Sequence, residues 1–108
     1  MDFGVLREAE DINGMLRLLE KAISDQMKVS FYYTNAQNAE TVRTVEPIAL
    51  TYKWHAWYVF AFCETREEYR YFKLIRMRHL NEARLPFLRD HEHSDILLEK
   101  YGAVQKIY

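Results

Sequence analysis

Ala-Trp-Tyr-Val-Phe-Ala-Phe-Cys at residues 56–63, the charged turn Glu-Thr-Arg-Glu-Glu at 64–68 and Tyr-Arg-Tyr-Phe-Lys-Leu-Ile-Arg-Met at 69–77 form the stretch that decides the fold. The first run is almost wholly apolar, the pattern of a strand buried on both faces. The second is interrupted by arginines at strand spacing. In one extended segment residues 70, 72, 74 and 76 share a face, which places Arg70 and Arg76 beside Phe72 and Leu74. Two short runs joined by a polar turn predict an antiparallel hairpin. A guanidinium near a core is costly unless it meets an anion, so the bracketing arginines point to an anion site.

Upstream, Ile12, Met15, Leu16, Leu19, Ala22 and Ile23 recur at three- and four-residue steps and predict an amphipathic helix over 12–27. Val29, Phe31 and Tyr33 alternate, giving a first strand over 29–34, and the polar connector at 35–40 turns the chain. Residues 41–53 are rich in β-formers but contain Pro47, which lacks a ladder N–H and so predicts a kink or bulge. Downstream, 80–85 reads as a further strand, and 94–101 as a short helix with Ser94 as its N-cap. The fold class is therefore α+β, mostly β. An N-terminal helix precedes a strongly bent antiparallel sheet that curls toward a small, partly open barrel, and a short C-terminal helix follows.

A length of 108 residues allows one domain with a single core. The reading is a linker at 1–11, the domain at 12–90 and a tail with a short helix at 91–108. Hydrophobic residues make up 49% and there are only three Gly and two Pro, which argues for a folded chain over a disordered one. The net charge of −1 conceals an asymmetry: residues 41–80 carry seven Lys or Arg against four Glu, leaving −4 for the remainder. That is a local basic patch, without the overall positive charge of a duplex-DNA binder. The single cysteine, Cys63, excludes an internal disulfide or a cysteine-based zinc site and suits a reducing compartment, so the expected location is cytoplasmic. No apolar run nears the roughly 20 residues of a membrane span, and the first eleven residues are acidic where a signal peptide is basic.

Several segments together resemble a WYL domain, named for a Trp-Tyr-Leu triplet that is Trp57-Tyr58-Val59 here. The likeness also takes in Leu19-Glu20-Lys21-Ala22-Ile23, Val29-Ser30-Phe31-Tyr32-Tyr33, Arg43-Thr44-Val45-Glu46-Pro47-Ile48-Ala49-Leu50 and residues 70–77, in that order, over about 16–85. The resemblance implies an SH3-like or Sm-like barrel with a leading helix, serving as the sensor behind a winged helix-turn-helix in bacterial transcription regulators. It implies a nucleotide-type or single-stranded nucleic-acid ligand on a basic surface, and a contribution to dimerisation. The positions carried over are Tyr33, Arg43, Trp57, Arg70, Phe72 and Arg76. Two departures stand out: Lys73 where the family often has Arg, keeping the charge without bidentate geometry, and Ile75 where it often has an acid. No helix-turn-helix is present, so the sequence reads as an excised or stand-alone domain.

Each candidate has an ordinary alternative. Arg43, Arg70, Lys73 and Arg76 could bind phosphate oxygens while aromatic neighbours stack bases, or Glu46, Glu64, Glu67 and Glu68 could neutralise them in ion pairs worth under ~1 kcal/mol each. Trp57 reads first as core, Tyr33 as either core or ligand contact. Tyr52, Trp54 and His55 fall in a turn, as an aromatic hairpin or a stacking surface. His91 and His93 are two apart but no set of metal ligands surrounds them, which makes a solvated loop the reading and no metal site. Cys63 reads as inert packing. No catalytic set can be assembled and no cofactor motif occurs, which leaves a non-enzymatic, ligand-sensing domain. The competing reading is a protein-protein interaction or dimerisation module with no small ligand.

Overall fold

Leu19 and Ala22, one turn apart, are the fully buried centre of the helical stripe, with Ile12, Met15, Leu16 and Leu18 packed around them. The structure, a computed structural model, describes the backbone of residues 3–101 and the side chains of residues 12–101. Helix α1 is Phe3–Asp25. It starts before the apolar periodicity does, because residues 6–10 are good helix formers. It stops at Gln26, whose φ of 55° is the left-handed conformation that commonly ends helices.

Five strands follow: β1 (Met27–Thr34), β2 (Glu40–Lys53), β3 (Ala56–Cys63), β4 (Glu68–Lys73) and β5 (Met77–Pro86). They form one antiparallel sheet in the order β4-β3-β2-β1-β5. The expected hairpin is β3–β4. The connector after β1 is set by Asn35, whose Oδ1 accepts from the N–H groups of Gln37 and Ala39 at 2.9 and 3.0 Å. The kink foreseen at Pro47 is a register shift between Pro47 and Ala49 in the β2–β3 ladder, the kind of irregularity at which a proline is tolerated inside a sheet.

Residue 77 does not end a continuous strand from 69, as the spacing predicts. Strand β4 stops at Lys73, opposite Tyr58, and a single 3-10 turn, Leu74–Arg76, follows. Beyond Tyr58 little of β3 remains to pair with. The turn instead drops Leu74 into the core beneath α1 and carries the chain to the free edge of β1, where Met77 pairs with Tyr33. Arg76 therefore does not share a strand face with Arg70.

Both faces of the sheet are covered. Val29, Phe31, Tyr33, Val45, Val59, Ala61, Cys63 and Phe72 form the inner layer with α1. Tyr58, Phe60 and Tyr71 form an outer layer against Leu97 of the C-terminal helix α2 (Ser94–Tyr101). The cap of α2 lies one residue earlier than expected, since His93 Nδ1 accepts from the N–H of Asp95 at 3.2 Å. The sheet is curled but its ladder is not closed: β4 and β5 are both edges, so the closed form of an SH3-like or Sm-like barrel is not formed.

His91 is not in a solvated loop. Glu46 is fully buried, and a buried carboxylate needs partners. His91 Nε2 lies 2.6 Å from Glu46 Oε1, the N–H of Leu88 donates to Glu46 Oε2 at 2.8 Å, and Tyr69 Oη lies 2.7 Å from His91 Nδ1. Burial, with Tyr101, Glu92 and Glu46 adding to it, pushes the Tyr69 phenol up, which keeps it a donor. With Tyr69 donating to Nδ1 and Nε2–H donating to Glu46, every partner is satisfied. This chain of contacts fastens the segment after β5 to the outer face. His91→Ala strands the carboxylate of Glu46 and is expected to destabilise the domain by about 1–3 kcal/mol in urea unfolding. A change within experimental error would mean that Glu46 does not depend on it.

Candidate anion-binding site

Tyr33 ends the inner face of β1 opposite Thr41, while Lys73 ends β4 opposite Tyr58, itself opposite Thr51. On a flat sheet those positions, ten residues apart along β2, would be separated by about 33 Å. Instead the N–H of Lys73 donates to the Tyr33 hydroxyl at 3.1 Å. The bend of β2 thus rolls one end of the sheet back onto the other. Tyr33 is fully buried, packed edge-on against Phe72 at 5.0 Å and Phe31 at 6.1 Å.

Around this clasp the cations gather. Arg43, opposite Phe31, is buried on the inner face. Its Nε donates to Thr41 Oγ1 at 3.0 Å, one Nη reaches Cys63 Sγ at 3.5 Å, and the guanidinium stands 6.0 Å from the Phe72 ring centre. Arg76 is half-buried and donates to the Asn35 carbonyl at 3.3 Å. Both act on Tyr33: burial raises its phenol above the ordinary value of 10.0, against the Lys73 N–H bond and the positive charges of Arg76 and Arg43, which pull it down. Lys73 offers its main-chain N–H here, and its half-buried side chain lies on the opposite face from Phe72. Among the described residues Arg43, Lys73 and Arg76 have no carboxylate within ion-pair distance. These uncompensated charges can accept an anion.

Two of the residues picked from sequence stand apart. Arg70 is buried on the inner face opposite Ala61, with Nε 2.8 Å from Glu68 Oε2, so a local glutamate holds it. Trp57 packs edge-on against Tyr52 at 5.3 Å and lines a different feature. That feature is an apolar cleft of about 490 Å³ between Leu16, Glu20 and Ile23 of α1 and Ala49, Leu50 and Trp57 of the sheet. Sequence reading missed the N–H of Lys73 and the carbonyl of Asn35, since main-chain groups carry no residue signature. It also missed the Glu46–His91 pair, for which a lone acid in an apolar strand was the available sign.

The WYL domain family profile matches residues 14–82, which include every residue of the cation cluster. The chain is 32% identical over 97 residues to YobV of Bacillus subtilis (strain 168), an uncharacterized HTH-type transcriptional regulator; the match takes in 90% of this chain and 31% of the regulator. Among solved structures, proteasome accessory factor B/C (PafBC) of Arthrobacter aurescens superposes with a TM-score of 0.62 at 22% identity. That match covers 81% of this chain and 14% of PafBC, and it shows a shared fold.

Tyr33→Phe removes the acceptor of the Lys73 N–H and is expected to lower stability by about 0.5–1.5 kcal/mol near neutral pH. Because the folded phenol titrates above 10.0, its contribution is complete below that value and is lost as pH rises through the higher, folded value. The variant should therefore lose stability less steeply than the unaltered protein in urea titrations above pH 10. Equal alkaline slopes would show that the buried hydroxyl plays no such part.

Proposed function

The chain belongs to the WYL domain family, and from that premise we propose that it is the sensing domain of a bacterial transcription regulator. The ligand is a nucleotide-type or single-stranded nucleic-acid anion taken up beside the Tyr33–Lys73 clasp. The observation that carries this reading is that Arg43 and Arg76 both act on Tyr33 at the rolled edge of the sheet, beside the Lys73 N–H, with no carboxylate partner among the described residues. Arg76 is the reachable member: exchanging the Asn35 carbonyl for a phosphate gains a charge-assisted, bidentate contact. Arg43 lies behind it and adds field, while Arg70, tied to Glu68, takes no direct part. Tyr33 acts by position, since its hydroxyl holds β4 and the 3-10 turn where Arg76 stands. Trp57 shapes the neighbouring cleft. The curled open sheet serves the role that the SH3-like or Sm-like barrel has in the family reading.

The relative that is a helix-turn-helix regulator is about three times longer than this chain, and we propose a helix-turn-helix domain as the partner in the whole protein. A ligand at the rolled edge signals only if it binds two arrangements of the domains unequally. A second reading, an interaction or homodimerisation module, is favoured by one observation: Tyr32 and Val42 face each other across β1 and β2, 41% and 61% exposed.

Fluorescence polarisation with labelled single-stranded DNA at several salt concentrations, alongside light scattering, separates the two. Salt-sensitive binding by a monomer is the expected result. Arg76→Ala should reduce the slope of log K against log salt by about one, and Arg76→Lys should keep the slope while binding more weakly. A slope unmoved by Arg76→Ala, or a salt-insensitive dimer without affinity for the probe, would overturn the anion reading.

A further inference from the structure

Trp54 and His55 close the β2–β3 hairpin with φ values of 49° and 62°. Both central residues of this two-residue turn need the left-handed conformation, which Asn-Gly supplies at little cost. Bulky side chains are disfavoured there, yet Trp54 is 50% exposed, and His55 and Tyr52 are exposed as well. Backbone strain retained at an exposed tip is characteristic of a functional surface.

The surface has a definite chemistry. Lys53 Nζ lies 5.3 Å from the Trp54 ring centre and 4.9 Å from that of Tyr71, and Trp54 meets Tyr58 edge-on at 5.8 Å. Lys73 is the cross-strand partner of Tyr58, so its side chain rises on this same outer face. No acidic residue occurs between Glu46 and Glu64. Among the described residues neither Lys53 nor Lys73 has a carboxylate partner. An exposed indole with one uncompensated ammonium over its ring and a second on the same sheet face fits a molecule that repeats flat π-faces and anions along its length. A protein partner would need to bring a carboxylate and an apolar pocket together at one spot, whereas each unit of a polynucleotide brings both.

Lys73 also joins this surface to the cation cluster, because its N–H holds Tyr33 beside Arg76. We infer that the hairpin tip is a second contact for a single-stranded polynucleotide whose other segment lies at Arg76. One base stacks on Trp54 and the adjoining phosphate sits at Lys53. The inference rests on the function proposed above and narrows its ligand to a strand longer than one nucleotide.

The test measures fluorescence anisotropy of the full chain with labelled single-stranded DNA of about ten nucleotides and with labelled adenosine monophosphate. Trp54→Ala and Lys53→Ala should weaken the oligonucleotide about 5- to 100-fold and leave the mononucleotide unchanged, and Trp54→Phe should restore most of the affinity. Trp54→Asn combined with His55→Gly should raise Tm while losing the same affinity, since it relieves the turn and removes the stacking plane. Oligonucleotide binding that ignores the hairpin variants but falls with Arg76→Ala overturns this inference alone. A lower Tm in the Asn-Gly variant assigns Trp54 to packing and also overturns it. Loss in the hairpin variants with Arg76→Ala silent supports the tip and overturns the Arg76 site. Failure of the unaltered chain to bind either probe overturns both.

Discussion

The bend of β2 between Pro47 and Ala49 is the constraint on which the rest of the molecule depends. Before it, β2 pairs with β1 over residues 40–45 and with β3 at 45–47; after it, residues 49–53 pair with β3. Pro47 cannot donate to a ladder, and the register shift absorbs that loss while turning the strand. Only because β2 turns can the end of β4 reach the end of β1, and only then can a 3-10 turn of three residues connect the two edges of a five-stranded sheet. The Tyr33–Lys73 bond fastens that closure, and the cations gather there as its consequence.

Buried charge is handled differently on the two faces. On the outer face Lys28 meets Glu64 and Glu46 meets His91 and the N–H of Leu88, so that each buried charge has a partner. The contacts of Glu46 organise the segment that covers the sheet, since a stranded charge there would cost several kcal/mol. On the inner face Arg70 is matched by Glu68, but Arg43 makes do with a hydroxyl, a thiol and an aromatic ring. A guanidinium left on neutral partners keeps its field, which is what a receptor for anions requires. None of the helices among the described residues is long and apolar enough to cross a membrane.

Much of the architecture was legible in the residues. The stripe from Ile12 to Ile23 is a helix, the apolar run of β3 is buried on both faces, the β3–β4 hairpin forms, and Pro47 marks a bulge. Parity along 70–76 failed after Lys73, because alternation describes a strand only while a partner strand exists to pair with. For the same reason no local pattern showed that β5 joins β1, across the sheet from β4. His91 looked solvated in a stretch of charged residues, and became buried because Glu46, forty-five positions earlier, faces the same layer.

What the sequence determined by itself is therefore periodic and local: which segments are helical or extended, where β2 must deform, and which family the ordered motifs belong to. Tertiary structure alone decided which cations meet. Arg43 and Arg76 are thirty-three positions apart and come to the same tyrosine through the roll of the sheet, whereas Arg70, the arginine nearest to Lys73 in the same strand, is drawn to Glu68. Charge is written in each residue, but whether it is cancelled depends on distances that only the folded chain sets.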